Sequence, residues 1–146
     1  MSLRAYTPLR LVIIVGSVVV FLLIGSTWLS RSLQESNPDV LSRAGLHWHP
    51  LLVIYVKGEK IEIPKDIGLG ATHLPIHTHD DVPVVHLEFG GVVRKNDVTL
   101  REFFKSWNRD MRSLGVNVRM TVNGKENTEY EQYVMHDGDK IELRYD

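Results

Sequence analysis

Hydrophobic and polar positions divide the chain into one long apolar run followed by several short alternating ones. Leu11 to Ser30 reads LVIIVGSVVVFLLIGSTWLS and carries no charge. Its twenty residues, at about 1.5 Å rise each, span about 30 Å, the hydrocarbon thickness of a bilayer. A surface helix of a soluble domain keeps one polar face, and this run has none. Trp28 sits near one end, where an indole suits the membrane interface. Arg4, Arg10 and the terminal amine precede the run; Arg31 and Arg43 follow it, offset by Glu35 and Asp39. That bias puts the N-terminus in the cytoplasm and the remainder outside. A cleaved signal peptide is the rival, but its apolar core should be about 7–15 residues and end at an A-x-A-like site. This run is longer, and Gly25 to Thr27 (GST) is a poor cleavage site. The expectation is an uncleaved signal anchor over residues 1–30 in the cell membrane, with the lipid bilayer as its partner. Residues 31–45 are polar, contain Pro38, and read as a linker. Residues 46–146 then form an extracytoplasmic domain.

Within that domain the apolar positions switch to period two. His49 to Pro64 predicts a hairpin: Leu51 to Val56 is apolar and β-prone, Lys57-Gly58-Glu59 turns, and Lys60 to Ile63 alternates. Leu74 to His79 and Val84 to Phe89 predict a second hairpin about Asp80 to Pro83. Val116, Val118, Met120 and Val122 alternate up to Asn123-Gly124, a strong type I′ turn signal. Lys140 to Asp146 alternates again after Asp137-Gly138.

One stretch has helical period. Leu100, Phe103, Phe104, Trp107, Met111 and Leu114 form a single apolar stripe, with Gly115 as the stop. Thr99 and Glu102 predict a capping box at its start, with Val98 stapled to Phe103. The aromatic residues at this spacing read as core. Strands, one helix, then strands make an α+β domain: a small mixed β-sheet with one packed helix. The outline resembles a β-grasp fold, and fold resemblance says little about activity.

Composition narrows the function classes. Seventeen Lys and Arg against eighteen Asp and Glu give a formal charge of −1, with no basic field for nucleic acid. Cysteine is absent, which excludes disulfides, thiolate metal sites and a cysteine nucleophile. Histidine stands out, with seven residues, four of them between His73 and Phe89.

Three strings share one spacing: His47-Trp48-His49, His77-Thr78-His79 and His86-Leu87-Glu88. On a strand, i and i+2 point to one face, so each string offers two polar ligands on one side. A four-residue loop at Asp80 to Pro83 sets His77 opposite His86 and His79 opposite Val84. Opposed residues hold their Cβ atoms about 4.5–5.5 Å apart. His77, His79 and His86 would then converge with Glu88 one step along, while His47 and His49 complete or flank the site. A shift of one residue would turn His86 away.

Imidazole with carboxylate suits a divalent transition metal, Zn or Cu(II) before Fe or Ni, and the lack of cysteine with only four methionines disfavours Cu(I). Asp80, Asp81 and Glu88 are candidates to orient an imidazole N–H. Two plainer readings compete: an exposed polar strand face, and a pH-responsive histidine cluster. Three strings at strand spacing favour metal. His136, beside Asp137-Gly138, reads as a turn residue, and His73 as a bystander.

HWHPLLVIYVKGEKIEIP, HTHDDVPVVHLE and TLREFFKSW, in this order, resemble a family of membrane-anchored or secreted His-rich domains of archaea and bacteria. The resemblance covers His47 to Asp146. It implies the domain and its extracytoplasmic setting, and no particular activity. Where that family has Gly, this chain has Pro83, which stiffens the loop and removes an N–H. The first functional expectation is metal capture or delivery near the membrane through His77, His79 and His86, with His47, His49 and Glu88 as second-rank ligands. The alternative is an accessory module of a membrane-protein complex or homo-oligomer, its histidines structural. A metal-dependent enzyme ranks last, because no separate base or nucleophile stands out and Glu88 lies too far after His79 for a cupin-like pattern.

Overall fold

A computed structural model describes residues 8–35 and 37–146. Two units divide the chain, Met1–Pro38 and Asp39–Asp146. Arg4, counted above in the charge bias, lies outside the described residues.

Among its described residues the first unit holds one helix, α1 (Pro8–Glu35). Its segment Arg10–Ser32 is long and apolar enough to cross a membrane. Those 23 residues measure about 35 Å at 1.5 Å each. Every described side chain on it is exposed, Phe21 and Trp28 included. Ser17 donates to the Ile13 carbonyl at 2.9 Å and Thr27 to the Ile24 carbonyl at 2.8 Å. These two hydroxyls are thus satisfied inside the helix.

The second unit is α+β. Its elements in order are β1 (Val40–Ser42), β2 (Leu46–Trp48), β3 (Leu51–Val56), β4 (Glu59–Ile61), β5 (Ile76–His77), β6 (His86–Phe89), β7 (Val93–Arg94), α2 (Leu100–Ser106), β8 (Val118–Val122), β9 (Lys125–Asn127) and β10 (Lys140–Tyr145). The largest sheet has the order β4-β3-β10-β8-β9. It is mixed: β10 runs parallel to β3 and antiparallel to β8. A separate antiparallel sheet has the order β2-β6-β5, and β1 pairs with β7.

Turn chemistry explains both hairpins of the larger sheet. Lys57 and Gly58 have φ of 52° and 87°, Asn123 and Gly124 52° and 77°. Two successive positive φ values define type I′, whose twist matches that of the flanking strands. Leu52 and Ile54 of β3 meet Ile141 and Leu143 of β10 in register, all four buried. Leu100, Phe103 and Phe104 of α2, with Ile76, Val85 and Leu87, complete one continuous core.

Three local expectations are corrected. The single helix expected up to Leu114 is split: α2 ends at Ser106, Asn108 has φ of 52°, and a 3₁₀ turn follows at Met111–Leu114. The stripe is buried nonetheless, Trp107 partly so, because the short turn restores the face that the break interrupts. The Thr99 side chain makes no capping bond; its hydroxyl meets the Asn96 carbonyl at 3.4 Å. The cap stands one turn earlier, where the Arg94 N–H donates to the Asp97 carboxylate at 2.8 Å. Finally, α1 runs to Glu35 and β1 belongs to the folded unit, so the connection is shorter than the 31–45 linker expected.

Candidate metal centre

The three-stranded sheet carries two chemistries on two faces. Along β6, Leu87 is buried between half-buried His86 and exposed Glu88. Ile76 and Trp48 lie opposite Leu87 and join the core. The alternate positions pair as His77↔His86 and His47↔Glu88. Strand alternation therefore sends every histidine of this sheet to the face away from the core.

The expected register of His77 against His86 is present. The ladder stops there, however. His79 is not paired with Val84, which bridges Leu51 instead. Thr78 explains the break. Its buried hydroxyl donates to the Pro64 carbonyl at 2.9 Å and accepts from the Ile67 N–H at 3.0 Å. The chain beyond β5 is thus tied to the segment 64–67 and leaves β6. Gly68 is part of the same packing: at φ of 72°, a Cβ there would sit 2.5 Å from the Ile76 carbonyl oxygen.

Two triads of ring nitrogens result, His77 with His79 and His86, and His47 with His49 and His86. In each, one ligand atom per residue lies within 4.8 Å of the others. Ring centroids are 4.8 Å apart for His77–His79, 4.9 Å for His79–His86 and 5.5 Å for His77–His86. In the other triad they are 4.7 Å for His47–His49 and 5.0 Å for His49–His86. Zn–N bonds are about 2.0–2.1 Å, so nitrogens up to about 4 Å apart can share one ion, and the 4.8 Å within which each triad falls is close to that spacing.

Hydrogen bonds select which nitrogen each ring offers. The His77 Nδ1–H donates to the Leu74 carbonyl at 3.0 Å. A carbonyl only accepts, so the free lone pair of His77 is on Nε2. The His86 Nε2–H donates to both Asp81 carboxylate oxygens at 3.1 Å, leaving Nδ1. His47 Nε2 lies 3.1 Å from Glu88 Oε1. Carboxylate and carbonyl partners of this kind orient metal-binding imidazoles and fix their tautomers.

Glu88 and Asp80, expected as a second-rank ligand and a partner of an imidazole, are placed elsewhere, and His73 and His136 stay outside the triads as expected. Glu88 serves His47 and is in neither triad among the described residues. Asp80 pairs with Lys65 at 2.9 Å rather than with a histidine. The His73 ring is 6.3 Å from that of His77 and outside both triads. His136 stacks on Trp48 at 5.6 Å. One participant had no sequence signal: Asp137, whose carboxylate accepts the His49 N–H at 2.8 Å across 88 positions.

Burial pushes the His77 imidazole below its ordinary range, outweighing the Leu74 carbonyl and the Glu88 charge, which favour the cation. The hydrogen bond from His86 holds the Asp81 carboxyl below the usual carboxylate range. For His77 the consequence has a definite sign. Its folded pKa is depressed, so the unfolded chain takes up a proton that the fold refuses, and stability falls as pH drops below about 6.5. Chemical denaturation of the protein in chelator, between about pH 7.5 and 5, should show this loss. A His77→Gln variant should flatten it; an equal acid slope in both proteins would contradict the assignment.

Comparison with family models, curated proteins and solved structures found no match for this chain.

Proposed function

We propose that the protein is a single-pass membrane protein whose extracytoplasmic domain binds a divalent transition metal, Zn²⁺ or Cu²⁺, through His77, His79 and His86. One observation carries this reading: three imidazole nitrogens within 4.8 Å of one another, with His77 and His86 paired across β5 and β6 and His79 just beyond β5. Its tautomers support it, since His77 and His86 each keep a lone pair free while the other nitrogen is held. Capture or delivery at the membrane surface fits better than catalysis. The acids beside the rings are engaged with them, Asp81 on His86 and Glu88 on His47, and no separate base stands ready among the described residues.

Zinc content of the full chain in detergent tests the reading. After equilibration with Zn²⁺ and removal of excess ion, about one ion should remain per chain; clearly substoichiometric metal sinks it.

The anchor is read from Arg10–Ser32. The domain is read as β-grasp-like, because β3 and β10 run parallel, a hairpin lies at each side of the sheet, and α2 falls between the hairpins in the chain. Expressed in cells, the protein should stay in the membrane pellet after alkaline carbonate washing with its N-terminus intact. Protease added outside should remove the domain and spare an N-terminal tag. Release of the domain into the soluble fraction would refute the anchor.

A further inference from the structure

Five imidazoles form an unbroken series. From His47 the ring centroids step 4.7 Å to His49, 5.0 Å to His86, 4.9 Å to His79 and 4.8 Å to His77. Exposure is high at one end and lowest at the other: the side chains of His47, His49 and His86 are 60%, 44% and 12% exposed and His77 is 3% exposed, while His79, between His86 and His77, is not buried. A depression of about 470 Å³ lined by His47, Glu88 and Gly45 opens the exposed end to solvent. A hydrated ion therefore meets His47 and His49 before His77.

His86 belongs to both triads. Asp81 holds its Nε2–H with both carboxylate oxygens, so one lone pair remains, on Nδ1, and one lone pair binds one ion. Two triads that need the same lone pair exclude each other. They are two positions for a single ion, joined by a ligand that need not let go.

We infer that a divalent transition metal ion enters at His47 and His49 and passes to His77 and His79 with His86 bound throughout, a relay that rests on the metal reading above. In the transfer, the dative bonds from His47 and His49 break as those from His77 and His79 form. No electron moves, and the waters of the incoming ion are released to solvent. The outer pair sets how fast metal is taken up, and the inner pair sets how tightly it is kept.

The test uses the full chain in detergent, with Zn²⁺ for stoichiometry and Co²⁺ for stopped-flow uptake followed by its visible absorption. The parent should bind one ion. His47→Ala/His49→Ala alters only exposed side chains; it should still bind one ion, while uptake slows about tenfold, within the range over which association rates vary among variants of one site. His77→Ala/His79→Ala should load at the parent's rate and release the ion faster. Two ions on the parent chain, or unchanged uptake in the outer variant, would overturn the relay and leave the metal reading standing. A parent that binds no ion overturns both.

Discussion

Replacing His77 and His86 together by alanine should weaken Zn²⁺ binding by about 10⁴-fold. Structural zinc sites with four ligands are worth about 10–16 kcal/mol, near 3 kcal/mol per ligand, so two lost ligands cost about 6 kcal/mol, or four decades in Kd. The pair is chosen because His86 is common to both triads. Without it neither triad keeps three nitrogens, and without His77 the inner one keeps only His79. Competition titration against a chelator of known affinity reads the effect. His73→Ala is the control, since that ring lies outside both triads. Equal losses in the control and the double variant would mean that the histidines act generally, as a polar surface, and not as a centre.

Asp139→Ala is expected to destabilise the folded domain by about 3–5 kcal/mol, a large part of the about 5–15 kcal/mol typical of a native protein. The Asp139 side chain is nearly buried and accepts from three donors. The Tyr133 hydroxyl donates at 2.7 Å, Asn123 Nδ2 at 2.9 Å and the His136 N–H at 2.8 Å. A buried donor left without its acceptor costs about 1–3 kcal/mol, and here three are orphaned at once. Burial and this carboxylate both push the Tyr133 hydroxyl up, so it remains a donor throughout the accessible range. Asp139→Asn keeps one accepting oxygen and should cost roughly 1–3 kcal/mol. Urea unfolding in chelator measures both; a loss below about 1 kcal/mol for the alanine variant would refute the assignment. The effect should reach the metal centre as well. Asp139 anchors the turn at Asp137-Gly138, and Asp137 holds the backbone N–H of His49. Loosening that turn should therefore slow uptake at His47 and His49 more than it weakens retention at His77 and His79.

Some of this molecule could be read locally. A helix with no polar face needs no tertiary information to stand apart from a soluble core, and α1 is long and apolar enough to span a bilayer. Asn123-Gly124 turned its hairpin as predicted, because two adjacent positive φ values depend on the residues at the turn itself. The stripe from Leu100 to Leu114 is buried as its spacing requires, although the helix is not continuous. The break is made by polar groups that the apolar stripe does not record: the Asn108 N–H turns back to the Lys105 carbonyl at 2.9 Å, and the Asp110 carboxylate accepts the Arg112 N–H at 2.8 Å to start the 3₁₀ turn. The capping box failed for a related reason: T-x-x-E at Thr99 is a local match, but the 3₁₀ turn at Lys95–Val98 reaches the helix first, and Thr99 turns its hydroxyl back to that turn.

The histidine face divides in the same way. That His77 faces His86 followed from the sequence alone, because strand alternation and one short loop decide a local register; His79 comes near the same ring by a different route, since it lies beyond β5 and Val84 bridges Leu51 instead. That His47 and His49 reach the same imidazole from the other side did not follow from the sequence. His47 arrives on β2 and His49 one residue beyond its end; β2 pairs with β6 rather than extending the first hairpin, and a carboxylate 88 positions away steadies His49. Local spacing determines which face a side chain takes. Which strands lie side by side is decided by burying Ile76, Leu87 and Trp48 in the shared core, and that packing turned two histidine strings and a third into two triads with one ring in common.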